Sequence, residues 1–376
     1  MLIGGALALL ELKYLEFVRT PYGSAEEKVV EVAPGATLSE TAQALEAAGV
    51  VRDGTRFYLF ARWEHADRKL KRGEYGFAGP MTPPEVLKQL IEGRVKTYKV
   101  TVPEGLRLDE VAPLFAQAGV ADENAFLLAA RDADLMKRIG VPARTAEGFL
   151  YPDTYLVSKG RKASTIIEEM VGHFKVAYAR ASHDPELPVP LDELQAVTLA
   201  SIVEKETGAA EERSHIACVF FNRLKQGMRL MTDPTVIYAV LLARGSFDGN
   251  LTKEMLQTPH PYNTYLVAGL PPGPIANPGG NALYSVFHPS RCNDLYFVAR
   301  GDGHSEFCPT LSCHNRNVER YQIAPATTSP SSAGAASVAS RAGPCAGAFA
   351  TFPRRRRSRS SSRRSSSGVA SSSSDR

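Results

Sequence analysis

Five cysteines in 376 residues (Cys218, Cys292, Cys308, Cys313 and Cys345) are too few for a disulfide scaffold in a chain of this length. A bilayer-spanning helix wants about 20 apolar residues, and the N-terminal run Met1–Leu10 is stopped by Glu11 and Lys13 at half that length. Nothing resembling an Ala-x-Ala cleavage site follows, so a removable signal peptide fits poorly. That leaves the rear half of an anchor whose start lies upstream, or a short buried segment. There is no G-x-S-x-G, no H-E-x-x-H, no P-loop and no G-x-G-x-x-G after a strand, which removes the signatures of several large enzyme classes. With 44% hydrophobic and 22% charged residues, the chain has an ordinary globular composition, which excludes wholesale disorder, collagen and polytopic membrane proteins.

The formal charge of +4 conceals two different parts. Residues 324–376 contain nine Arg, no Lys and one acid, Asp375; residues 1–323 hold 35 basic against 39 acidic side chains and are net acidic. The C-terminal part is rich in Ala, Ser, Pro and Gly and closes in an Arg/Ser run from Arg354. Such a segment has little to bury and repels itself, so it is expected to be disordered. An arginine run can attract nucleic acid or an anionic membrane surface, but a solvated or mistranslated end explains it as well, and no nucleic-acid function is assigned.

The first half repeats itself at an offset of 70. Val29-Val-Glu-Val-Ala-Pro-Gly35 reappears as Lys99-Val-Thr-Val-Pro-Glu-Gly105, and Leu38, Glu40, Ala42, Gly49 and Val50 recur as Leu108, Glu110, Ala112, Gly119 and Val120. Each unit reads as strand, Pro/Gly turn, helix, helix; in the first copy a strand over 73–77 and a helix over 84–92 come next. Units of this kind without acid, metal or nucleophile clusters are binding modules or spacers.

Chemistry is concentrated in the second half. His304, Cys308, Cys313 and His314 crowd into eleven residues with Pro309 among them, which fits a local Cys308–Cys313 disulfide in an oxidising compartment better than a zinc site. A Pro-rich break at 182–190 precedes a helix that Asp192 caps with Gln195 and that Gly208 stops. That helix is apolar nearly all round, the pattern of a central buried element. At 100° per residue Glu206 lies over Leu199, Ile202 and Val203, whereas Glu204 lies over Val197, Ala200 and Ser201. Burial raises a carboxyl pKa and suits a general acid near neutrality, which modestly favours Glu206. Glu204 reads more readily as a helix-end acid paired with Lys205 or Arg213. Thr232-Asp-Pro-Thr-Val-Ile-Tyr238, Tyr262-Asn-Thr-Tyr265 and the loop 269–279 suit a sugar groove, where aromatic faces pack on rings and amides bond hydroxyl groups.

Glu147-Gly-Phe-Leu-Tyr-Pro-Asp-Thr-Tyr155, Ala200-Ser-Ile-Val-Glu-Lys-Glu-Thr207, Phe221-Asn-Arg-Leu224, the Thr232–Tyr238 motif, and Tyr262-Asn-Thr-Tyr265 leading into Gly269-Leu-Pro-Pro-Gly-Pro-Ile-Ala-Asn-Pro-Gly279 occur in one order. Together they resemble the endolytic murein transglycosylase family, YceG-like, from about Val29 to Tyr321. The resemblance implies an α+β chain in which a LysM-like module (28–97) and a second repeat-like unit (98–144) precede a mostly helical, lysozyme-like catalytic domain (145–323). A partial membrane anchor (1–18) stands before them and the disordered tail (324–376) after. It further implies a bacterial inner-membrane protein with its body in the periplasm, acting on peptidoglycan strands beside peptidoglycan synthases, without cofactor or metal. The family's acid, a Glu of the E-K-E-T motif, falls on Glu206; Thr232, Asp233, Tyr262, Asn263, Thr264 and Tyr265 are the implied substrate-binding residues. The chain departs from the family in its shorter apolar N-terminus, in its tail, and in His304, which stands one place before the position (Ser305) where the family has His.

The expected reaction is internal cleavage of the MurNAc-GlcNAc β-1,4 bond to give 1,6-anhydro ends, ending strand elongation. Two alternatives stand beside it: a hydrolysing muramidase that uses Glu206 and Asp233, and a non-catalytic cell-wall-binding protein.

Overall fold

The structure, a computed structural model, describes residues 2–323, and side chains from residue 11 onward. Met1 and the tail expected to be disordered lie outside the described residues. The first helix, α1 (Leu2–Arg19), continues past the apolar run through Glu11, Lys13, Glu16 and Arg19. Among the described residues no helix is long and apolar enough to cross a membrane.

The first repeat unit closes on itself. β1 (Lys28–Val32) is followed by α2 (Leu38–Ala47), α3 (Gly54–Trp63), β2 (Gly73–Phe77) and α4 (Pro83–Glu92). Thr37 and Glu40 cap α2 reciprocally, satisfying two of the amide donors that a helix start leaves orphaned. β1 and β2 pair antiparallel, from Lys28 opposite Phe77 to Val32 opposite Gly73. The alternation expected of a half-buried strand then turns Val30, Val32, Tyr75 and Phe77 inward onto Leu45, Phe57, Phe60 and Leu90, a core separate from the rest of the molecule.

The second unit opens in the same strand, helix, helix order, adds a third helix before its closing strand, and lacks the first unit's independence. β3 (Tyr98–Thr101), α5 (Leu108–Gln117), α6 (Glu123–Ala129) and α7 (Ala133–Arg138) are closed by β4 (Thr154–Val157), antiparallel to β3. Helices α2 and α5 match in length at the offset of 70 read from the sequence. Yet the interior of this unit is continuous with everything downstream: one core runs from Val100 through Phe149, Val197 and Phe220 to Phe287. The division expected between residues 144 and 145 falls inside this sheet and core, because the closing strand lies beyond it.

The remaining chain is mixed helix and strand, as expected of the fold class: α8 (Ala163–Ala181), α9 (Glu193–Glu206), α10 (Arg213–Lys225), α11 (Asp233–Arg244), α12 (Lys253–Gln257), α13 (Gly280–Phe287), the antiparallel hairpin β5 (Tyr296–Ala299) and β6 (Ser305–Cys308), and α14 (Leu311–Val318). The predicted Asp192–Gln195 capping box is present at the start of α9. Packed against α10, α11 and α13, α9 buries every residue from Ala196 to Val203. It ends before Gly208, since Thr207 already turns extended (φ −139°, ψ 141°), so Glu206 is its last helical residue.

The two cored regions meet at a polar junction. Glu74 of β2 accepts from Lys159 at 2.9 Å and from the Tyr98 hydroxyl, and its carbonyl accepts from the Lys96 amide at 2.6 Å.

Candidate active site

Two acids leave the end of α9 into different environments. Glu204 Oε1 accepts from Arg213 at 2.9 Å, both side chains being nearly covered, and its Oε2 accepts from the Gly279 amide at 3.0 Å. It is an ion-paired structural carboxylate. Glu206 keeps a partly exposed edge, and the hydrogen bonds around it are fewer. Burial pushes its carboxyl up to about 7; Asp233 pushes the same way, while the Thr232 hydroxyl and the Arg223 guanidinium hold it down. Near neutral pH such a group gives and takes a proton with comparable ease.

The wall opposite Glu206 is the turn into α11. Thr232, its N-cap, is buried, and the hydroxyl finds no other hydrogen-bond partner than the facing carboxyl. Met231 just before it has φ 47°, a left-handed conformation that a side-chain-bearing residue adopts only when its surroundings enforce it. The enforcement is visible: the Met231 amide donates to Thr264 O at 3.2 Å, and the Thr232 amide to Thr264 Oγ1 at 3.1 Å. The Tyr265 hydroxyl donates to Asp233 Oδ1 at 2.5 Å.

Of the residues expected to bind substrate, Thr232, Asp233 and Tyr265 gather around Glu206. Tyr262 is half-buried, its ring 4.9 Å from that of Tyr238. Asn263 and Thr264 point inward: each is 1% exposed. The Asn263 amide donates to the carbonyls of Met255, Leu256 and Thr258, closing the end of α12, and Thr264 holds the Met231–Thr232 turn. Their contribution is to place Tyr262 and Tyr265. The Pro/Gly loop expected beside the groove is largely interior as well. Ile275 donates its amide to Ser201 Oγ on α9, and Asn277, wholly buried, bonds Leu106 and Leu150.

Three features of the site carry no assignment from sequence. Arg223, inside the quoted Phe221–Leu224 motif, is 2% exposed and directed toward the Glu206 site. Glu147 is buried, accepts from the Leu108 amide at 3.0 Å and the Tyr238 hydroxyl at 3.3 Å, and is pushed up to about 8, chiefly by burial. Cys218 and Cys292 form a disulfide across 74 residues, in addition to the anticipated Cys308–Cys313 bridge. The signal for the first two is a charged residue inside an apolar stretch. For the cysteine pair no local spacing exists. His304, singled out for its displaced position, meets Glu212 Oε1 at 3.2 Å. Among the described residues one group of possible metal ligands comes together, His215, Cys292 and Asp294; its sulfur is committed to Cys218 and its imidazole pairs with Asp294 at 2.8 Å.

Comparison with known proteins points the same way. The chain is 28% identical over 316 residues to the endolytic murein transglycosylase of Bacillus subtilis, covering 78% of this chain and 84% of that protein. The protein of the same name from Streptococcus pneumoniae is 29% identical over 325 residues; the match spans 58% of its length and 78% of this chain. A solved YceG-like protein from Listeria monocytogenes aligns with a TM-score of 0.52 at 31% identity, over 78% of this chain and 99% of that one. With residues 30–320 matching its pattern throughout, the chain belongs to the YceG-like family.

Proposed function

We propose that this protein is an endolytic murein transglycosylase that cleaves the MurNAc-GlcNAc β-1,4 bond within nascent peptidoglycan strands and leaves 1,6-anhydro ends. The observation that carries the reading is the placement of Glu206: a carboxyl at the end of a buried helix, held near neutrality by burial and surrounded by Thr232, Asp233 and Tyr265. The names of the relatives support the substrate and the reaction class.

Hydrolytic glycosidases need two working carboxylates, one as acid and one as nucleophile or base. A transglycosylase needs one, because the muramic acid's own 6-hydroxyl attacks its anomeric carbon and arrives already tethered at high effective molarity. Protonated Glu206 gives its proton to the leaving glycosidic oxygen; the resulting carboxylate then takes the 6-hydroxyl proton as the anhydro ring closes. Asp233 raises the affinity of Glu206 for that proton, and Arg223 keeps the carboxylate from becoming prohibitive. Tyr262 and Tyr265 offer partly exposed rings as sugar platforms.

The same proposal includes a LysM-like role for residues 28–97, supported by the self-contained β1–α2–α3–β2 unit, and a lysozyme-like catalytic region. It places the body in the periplasm at the bacterial inner membrane, among peptidoglycan synthases. The two disulfides favour such an oxidising compartment. Borohydride treatment of the products tests the chemistry. Anhydro ends resist reduction; reducible ends would instead identify a hydrolase, the alternative in which Glu206 and Asp233 form the carboxylate pair.

A further inference from the structure

The wall of the acid site leans on a chain of contacts that ends in two disulfides. Arg223 Nε donates to Leu295 O at 2.7 Å, its Nη1 donates to Leu230 O, and its guanidinium sits 5.4 Å from the Tyr296 ring centre. Leu230 stands two residues before Thr232, so this one side chain ties the turn facing Glu206 to the segment leading into β5. That segment has no helix ladder behind it. It is held at Cys292, bonded to Cys218 of α10, and at the Leu295 amide, which donates to Cys308 O at 2.9 Å; Cys308 is bonded in turn to Cys313. His314, next to Cys313 and fully buried, stacks on Tyr296 with ring centres 5.4 Å apart. Asn222, beside Arg223, donates to Cys292 O at 3.1 Å and Asp294 O at 3.0 Å. Both bridges thus converge on Leu295 and Tyr296, the carbonyl and the ring that hold Arg223.

We propose that Arg223 is a positioning residue for the Glu206 site and that the Cys218–Cys292 and Cys308–Cys313 disulfides jointly set its place, so that thiol reduction weakens catalysis while the fold persists. The proposal rests on the reading of Glu206 as the acid. Cys218 and Cys292 border a surface cleft of about 410 Å³ that Glu186, Lys225 and Arg291 also line, which gives a reductant access. One thiolate of a dithiol attacks a sulfur of the bridge, the protein S–S bond breaks, and the released cysteine thiolate takes up a proton. The second thiolate of the reagent then displaces the other cysteine, so the dithiol closes to its own disulfide and two electrons enter the cysteine pair. The groups facing Glu206 are Thr232, Asp233, Tyr265 and Arg223; those facing Arg223 are Glu206, Tyr265, Tyr296 and His314. As the guanidinium withdraws, its downward pull on the Glu206 carboxyl fades.

The test uses the full-length chain as wild type, with all four bridge cysteines changed to serine, with each pair changed, as Arg223→Lys and Arg223→Gln, and as Glu206→Gln. Glycan-strand cleavage is followed against pH with and without dithiothreitol, far-UV circular dichroism reports folding, and hydrogen exchange is read over residues 228–235. Reduction of wild type and the four-serine change are expected to leave the far-UV spectrum in place and accelerate exchange in 228–235. They should lower kcat about tenfold with KM nearly unchanged, and move the alkaline limb up by about half a unit or more. Dithiothreitol should do nothing further to the four-serine variant, and Arg223→Lys should retain more activity than Arg223→Gln. A four-serine variant with wild-type kcat, limb and exchange would overturn the proposal, as would loss of the far-UV spectrum on reduction. Cleavage by Glu206→Gln at the wild-type rate would refute the acid assignment instead, and the exchange data would still decide whether the bridges hold the turn.

Discussion

The Tyr265 hydroxyl donates to Asp233 Oδ1 at 2.5 Å, and that bond places a second carboxyl group beside Glu206 without leaving it idle. Asp233 raises the Glu206 pKa, which gives it an electrostatic role. Asp233→Asn should therefore shift the alkaline limb of kcat/KM below the wild-type value near 7 and leave substantial activity at pH 5 to 6. A pH–rate profile checks this. Loss of activity at every pH, on the order of a hundredfold or more, would mean that Asp233 acts as a base or nucleophile.

Glu147 titrates in the interior, between the Leu108 amide of α5 and the Tyr238 hydroxyl of α11. Its folded-state pKa is raised to about 8, so the native protein keeps a proton that the unfolded chain releases in the ordinary carboxylate range. That contribution to stability is complete below the unfolded pKa and is lost as pH rises through about 8. Glu206 adds a smaller loss of the same sign up to about 7. The melting temperature should fall between pH 5 and 8, and Glu147→Gln, which cannot ionise, should flatten the slope.

Glu204 and Glu206 should separate cleanly by mutation. Removing one partner of a shielded ion pair costs about 3–5 kcal/mol, and Glu204 and Arg213 are 5% and 8% exposed at their side chains. Glu204→Ala should lose stability of that order in urea titration, with its pH limb unmoved. Glu206→Gln should keep or gain stability while losing turnover.

Gly148 fixes the approach of the loop after α7 to the core. Its φ is +86°, and a Cβ there would lie 2.4 Å from two carbons of Pro274 and 3.1 Å from Val197 Cγ1. Gly148→Ala combines a left-handed backbone with overpacking and should cost about 2–4 kcal/mol, measured by thermal unfolding.

Much of the fold is written in local signals. Helix α2 is legible because Leu38, Ala42 and Leu45 fall on one face before Gly49, and α9 because its apolar residues surround the axis. The choice between Glu204 and Glu206 rests on their 200° separation around that same helix, which delivers one to Arg213 and the other to the α11 turn. The features hidden from the sequence depend on partners distant in the chain. Nothing near Asn263 says that its amide closes α12, and nothing near Arg223 says that Leu295 awaits it 72 residues on. Glu147 is buried by α5 and α11, so its titration is unreadable from its own motif. The independence of the second repeat fails for the same reason: its closing strand, β4, lies within the stretch that the motifs assign to the catalytic domain.

Glu206 is the one proton-transferring group of the proposed internal transglycosylation. Mass spectrometry of purified glycan strands incubated with wild type and with Glu206→Gln reads out that role. Wild type should give internal fragments whose new ends are each one water lighter than hydrolysed ends, and Glu206→Gln should leave the strands intact. Wild-type fragments carrying the mass of hydrolysed, reducible ends, or equal cleavage by Glu206→Gln, would contradict that role.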